Sequence, residues 1–162
     1  AMDFAANFNN KLSSLTLIAT TYKRNQKQRQ EVIDRVNLAK SNKPMSKLAL
    51  KRWFTEEYLE KNPKIYEELM SILSKEPREQ KNFIKAYELF AHYKDNIEKI
   101  KTIHTRTLVM TGSSDQRTTQ SMSRNIWIEL KTSQYIEINK GKHIYNINVH
   151  NDVIVKTHTL NT

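Results

Sequence analysis

A chain of 162 residues without cysteine is long enough for one domain with a moderate core, and it excludes disulfides, thiol catalysis and thiolate-bound metal. Its formal charge of +10 raises nucleic acid or anionic substrates as partners, yet 38% hydrophobic and 27% charged residues describe an ordinary globular chain. No apolar run nears the roughly 20 residues of a bilayer span, no basic-then-apolar signal pattern is read at the start, and the lack of cysteine leaves a cytoplasmic location as the expectation. Ala1 precedes Met2 and is expected to be a remnant of expression.

Residues 3–11 read as the tail of an uncapped helix, with Phe4, Ala5 and Phe8 on one side. Ser14–Ala19 reads as a strand, Leu15 and Leu17 facing one way and Thr16 and Ile18 the other. Thr20-Thr21 ends it, either at the functional edge of the sheet or simply as polar residues closing a strand. The densest basic run, Lys23-Arg24-Asn25-Gln26-Lys27-Gln28-Arg29, follows. Elsewhere lysines alternate with acids such as Glu56-Glu57 and Glu67-Glu68, as on solvated helix faces, so nucleic-acid binding is not the main expectation.

Residues 26–100 carry helical periodicity and no strand signal. Val32, Val36 and Ala39 form one stripe, broken at Ser41-Asn42-Lys43-Pro44. Leu48, Trp53, Phe54, Tyr58 and Leu59 mark a second helical region, interrupted at Asn62-Pro63. Ile65, Leu69, Ile72 and Leu73 mark a third, which stops before Pro77. Phe83, Ala86, Tyr87, Phe90 and Ala91 mark a fourth.

The stretch Arg106-Thr107-Leu108-Val109-Met110-Thr111-Gly112-Ser113-Ser114-Asp115 is the chemical centre of the sequence. Leu108, Val109 and Met110 are the apolar run of a parallel strand covered on both faces. Gly112 permits a turn that a β-branched residue would resist. Asp115 then falls where open α/β sheets place functional groups, beyond the carboxyl end of a strand. Gln120–Leu130 predicts an amphipathic helix with Met122, Ile126 and Leu130 inward, and Gln134–Ile138 a third strand. Asn139-Lys140-Gly141-Lys142-His143 follows, then a last helix at about Asn146–Thr159. Strands joined through helices predict an α/β fold, a small parallel sheet of about three strands with right-handed crossovers. Residues 2–25 and 101–162 would form its core and residues 26–100 a helical insert. Read by themselves, Asp115 is a turn residue or helix cap and His143 a surface histidine.

The run from Ile100 to Val149 resembles the C-terminal part of an α/β-hydrolase. The acid follows Thr107-Leu108-Val109-Met110-Thr111-Gly112-Ser113-Ser114, and the histidine follows Gly141-Lys142. Upstream, Phe4-Ala5-Ala6-Asn7-Phe8 and Lys11–Thr21 look like the helix after the nucleophile and the strand beyond it. The resemblance is strongest to 3-oxoadipate enol-lactonases and related ester hydrolases. It covers nearly the whole chain, but only about the C-terminal half of a typical member. It implies a partial α/β-hydrolase fold with residues 26–100 as a cap over the substrate pocket. It also implies Asp115 as orienting acid, His143 as general base, and no cofactor or metal.

That family orders its triad as nucleophile, acid, histidine, and the nucleophile is missing here. Its elbow needs Gly-x-Ser-x-Gly, whereas the only glycines are Gly112 and Gly141, too far apart to frame a serine. Ser113 and Ser114 lie in the acid loop and are poor substitutes. The oxyanion-hole segments are absent too. The chain is therefore expected to be truncated and inactive alone. Strand 14–19, without its neighbour, would expose unpaired backbone groups and favour a homodimer or a swapped oligomer. The alternatives are a non-catalytic dimeric small-molecule binding module and, behind it, a nucleic-acid-binding protein. Trp53, Phe54, Tyr87 and Phe90 either line a pocket over substrate or pack the core; Trp53 and Arg117 are the candidate substrate contacts. Arg117 and Arg124 could attract a carboxylate. His92, His104, His150 and His158 show no metal-ligand spacing.

Overall fold

Residues 108–110 form the middle of the sheet, as an unbroken apolar run does when both faces are covered. In the computed structural model, which describes residues 1–41, 46–74 and 81–144, strands β1 (Leu15–Ile18), β2 (Thr107–Gly112) and β3 (Ser133–Ile138) pair in the order β1-β2-β3. Both pairings are parallel, so the fold class is α/β. The helices are α1 (Met2–Asn7), α2 (Gln26–Lys40), α3 (Ser46–Trp53), α4 (Glu56–Lys61), α5 (Pro63–Leu73), α6 (Lys81–His92), α7 (Ile97–Ile100) and α8 (Gln120–Glu129). The breaks expected at Asn42–Pro44 and Pro77, and the last helix at 146–159, lie outside the described residues.

Two compact units divide at Lys23/Arg24 and at Lys94/Asp95. In the sheet unit, the register sets Leu17 beside Val109 and Val109 beside Tyr135. Because side chains alternate along a strand, these share one face. There Leu15, Leu17 and Val109 meet Met122, Ile126 and Leu130, the inward stripe of α8. Leu108, Met110 and Ile138 cluster on the other face. Ile100 and Ile103 also belong to the first cluster, so α7 is part of this unit. Of the residues read as the apolar side of the first helix, Ala5 is buried, but Phe4 and Phe8 stay about half exposed and pair with each other, ring centroids 5.0 Å apart.

The helical unit, residues 24–94, is organised on α2. Asn25 and Gln28 form a reciprocal cap, each side chain accepting the other's backbone N–H at 2.9 Å. Val32 and Val36 then pack with Ala91 and Tyr87 of α6. The buried Arg24 guanidinium donates from Nη2 to the carbonyls of Phe90 (2.7 Å) and Tyr93 (3.0 Å), and Arg29 donates to Tyr93 O at 2.9 Å. Cations belong at this end of α6, where its last carbonyls carry partial negative charge. Pro63 opens α5 at a position that needs no N–H donor.

The loops after β2 and β3 approach each other at Gly112. A Cβ there would lie 2.1 Å from Gly141 O and 2.8 Å from Lys142 O. The sequence suggests glycine for its torsional freedom. The structure shows a different need: no glycine takes a positive φ, and the left-handed residue of the second loop is Lys140, at φ 56°. Gly112 is required for space. Gly112→Ala is therefore expected to cost about 2–4 kcal/mol, since a backbone carbonyl must retreat where no flexible side chain can yield. Chemical denaturation measures it; a loss under about 0.5 kcal/mol, the range of neutral surface changes, would show that the loops are not tightly apposed.

Candidate active site

Backbone hydrogen bonds hold the two loops beyond the sheet. Ser113 N donates to Ile138 O at 2.9 Å and Ser114 N to Gly141 O at 2.9 Å, while Lys140 N donates to Ser113 Oγ at 2.8 Å. Asp115 N turns back onto Gly112 O at 3.1 Å. These contacts carry the acid past the end of β2 and the histidine past the end of β3, and the two side chains meet. His143 Nδ1 lies 2.9 Å from Asp115 Oδ2.

Asp115 is buried, with its side chain 1% exposed, whereas the His143 side chain is 34% exposed. Oδ1 accepts the backbone N–H of Arg117 (2.8 Å) and of Thr118 (3.0 Å). Oδ2 accepts the Thr118 hydroxyl as well as facing His143. Burial pushes the carboxyl up; the hydrogen bonds from His143, the Thr118 hydroxyl and the two backbone amides outweigh it and hold the group below its ordinary 3.8. The carboxylate is thus ionised, and a buried acceptor on Nδ1 favours the tautomer whose lone pair is on Nε2. Nε2 is then the ring nitrogen with a lone pair able to accept a proton.

Asp115 shapes a local turn with Oδ1 and faces His143 with Oδ2. It is not the cap of α8: Thr119 is, its hydroxyl accepting from Met122 N at 3.4 Å. Thr118 was not singled out by sequence. The Asp-x-x-Thr spacing of a local side-chain turn was the available signal. Ser113 is held by Lys140 N, and neither it nor the exposed Ser114 has a hydrogen bond to His143 among the described residues.

The other candidates scatter. Arg117 is exposed beside the acid and contributes its backbone N–H. Arg124 pairs with Glu137 at 3.4 Å and lies over the Tyr135 ring. Trp53 ends α3, half-buried, in the helical unit, whereas the acid and histidine are in the sheet unit. Phe54 is fully buried and stacks on Tyr58 at 5.3 Å, so it is a core residue. Tyr87 packs with Val32 and Val36, and Phe90 lies 4.5 Å beneath the Arg24 guanidinium. In the basic run, Lys23 pairs with Glu129 at 2.6 Å, while Arg24 and Arg29 hold carbonyls of α6 and the residue after it. Among the described residues no group of acids and histidines could hold a metal ion, and no helix is long and apolar enough to cross a membrane. His150 and His158 lie outside the described residues.

No family model and no curated protein matches the sequence. Solved structures do match its fold. An enol-lactonase from Burkholderia xenovorans aligns with 98% of this chain and 60% of its own at 19% identity, TM-score 0.84. An α/β-hydrolase from a Medee basin deep-sea metagenome aligns with 98% of this chain and 59% of its own at 15% identity, TM-score 0.82. A thermophilic esterase from Thermogutta terrifontis aligns with 99% of this chain and 62% of its own at 16% identity, TM-score 0.78. The chain therefore has a partial α/β-hydrolase fold, and it spans about three-fifths of the length of the proteins it matches.

Asp115→Asn removes the charge and leaves Thr118 and His143 facing an amide. We expect it to lower the unfolding free energy by about 1–3 kcal/mol at neutral pH. The folded carboxyl titrates below its unfolded value. Its contribution is therefore complete above the unfolded pKa of about 3.9 and is lost as pH falls through the lower, folded one. The gap between the two proteins should narrow below about pH 4 in an acid series of denaturation curves. A gap independent of pH there would show that this carboxylate is not stabilised by folding.

Proposed function

We propose that this chain carries the acid and the base of a hydrolytic centre for carboxylic esters or lactones, with enol-lactones as the favoured substrate class. The observation behind this is the 2.9 Å bond between Asp115 Oδ2 and His143 Nδ1 beyond the carboxyl ends of adjacent parallel strands. The fold shared with an enol-lactonase and an esterase supports it. His143 Nε2 accepts the proton of an attacking hydroxyl and returns it to the leaving oxygen; Asp115 fixes the ring and stabilises the imidazolium between the two steps. Arg117, exposed beside the acid, is the proposed contact for a substrate carboxylate.

The nucleophile is a serine on a Gly-x-Ser-x-Gly elbow, which these 162 residues do not contain. Hydrolysis of an activated ester by this chain alone should therefore stay at background for wild type and His143→Ala alike. Turnover by wild type that His143→Ala abolishes would mean that a serine or threonine here serves as nucleophile.

Self-association is the second part of the proposal. Among the described residues β1 pairs only with β2, and Thr16 and Ile18 are exposed. Unpaired strand edges recruit further strands, and a second copy of β1 is a ready partner. Sedimentation equilibrium should show a concentration-dependent dimer that Ile18→Lys weakens. A monomer throughout, melting cooperatively, would remove this part.

A further inference from the structure

The Thr118 hydroxyl touches both members of the acid–histidine pair. Thr118 is 2% exposed and its backbone is fixed at both ends. Its N–H is bonded to Asp115 Oδ1 at 3.0 Å, and its carbonyl accepts the buried Thr111 hydroxyl, from near the end of β2, at 3.0 Å. The side chain is directed so that Oγ1 donates to Asp115 Oδ2 and lies 3.1 Å from His143 Nδ1.

A hydroxyl has one proton to donate and two lone pairs to accept with, whereas an ionised carboxylate only accepts. With its proton on Oδ2, Oγ1 can offer His143 only a lone pair. Nδ1 thus faces two acceptors, the carboxylate at 2.9 Å and the hydroxyl at 3.1 Å, and must itself carry the hydrogen.

We propose that Thr118 is a positioning residue: its hydroxyl locks the Asp115 carboxylate in rotation and serves as second acceptor for the His143 Nδ1 hydrogen, so that the basic lone pair is placed on Nε2. The proposal rests on the acid–base reading of the pair and extends it to a third side chain. Asp115 without this hydroxyl still has its two backbone donors on Oδ1, but Oδ2 is left with the histidine alone and the ring with one acceptor in place of two.

Nitrogen-15 NMR of the imidazole in alkaline solution, where the ring is neutral, reads the tautomer directly in this chain and needs no turnover. Wild type should be predominantly Nδ1–H. Thr118→Val keeps the shape and loses the hydroxyl, and should reduce the Nδ1–H to Nε2–H ratio about fivefold, the order of one hydrogen bond between neutral groups. Thr118→Ser should restore it. Should the valine variant fail to fold, Thr118→Ala removes the same hydroxyl and should move the ratio the same way. A wild-type ratio retained in the folded variants would overturn the role of Thr118 while leaving the pair intact. A wild type resembling free imidazole would instead overturn the pairing of Asp115 with His143, and Thr118 with it.

Discussion

The site depends on a close approach between two loops, and the chain's only two glycines stand at that approach. The backbone of Gly141 occupies the space that a side chain on Gly112 would need. Parallel register brings the positions into reach: Gly112 pairs with Ile138 at the ends of β2 and β3, and a short turn later the second loop folds back over the first. Ser114 N then bonds Gly141 O, and Lys142 and His143 follow directly behind the contact. The histidine's position is thus determined by backbone packing against β2. Little of the constraint lies in the histidine itself, whose side chain is about one-third exposed.

Burial of Asp115 opposes this arrangement, because a carboxylate removed from water is destabilised unless its oxygens are bonded. Four donors supply that bonding: two backbone amides, one hydroxyl and one imidazole. These donors outweigh the desolvation and hold the carboxyl below its ordinary range. The acid–histidine pair is consequently one element of a small polar network whose other members belong to the acid's own loop, and a change in any of them alters the histidine's partner.

The sheet was legible because its signal is strong and local. An apolar run such as Leu108-Val109-Met110 admits few arrangements, and the Leu15/Leu17 alternation reappears as buried positions on β1. The inward stripe of α8 follows for the same reason. The helix tail read over residues 3–11 is shorter: α1 ends at Asn7, and the Phe4 and Phe8 rings pair at the surface. Gly112 was singled out for the wrong reason, since torsional freedom can be read from a single residue and a clash with Gly141, 29 positions on, cannot. The Asp-x-x-Thr spacing of residues 115–118 suggests at most a local turn; that the Thr118 hydroxyl also reaches His143, 28 residues beyond Asp115, is visible only in three dimensions. In the basic run Arg24 bonds the carbonyls of Phe90 and Tyr93, Arg29 that of Tyr93, and Lys23 pairs with Glu129.

An aspartate used only to shape a turn needs one oxygen. Oδ1 makes both of the local backbone bonds here, and asparagine offers the same carbonyl without a charge to bury. The second oxygen is therefore what distinguishes aspartate at this position. It is directed at a histidine and braced by a hydroxyl, and a negative charge held in place beside an imidazole has its largest effect when that ring becomes positive. In the proposed hydrolytic role, a hydroxyl that transfers a proton to Nε2 leaves a positive ring whose charge this carboxylate already compensates.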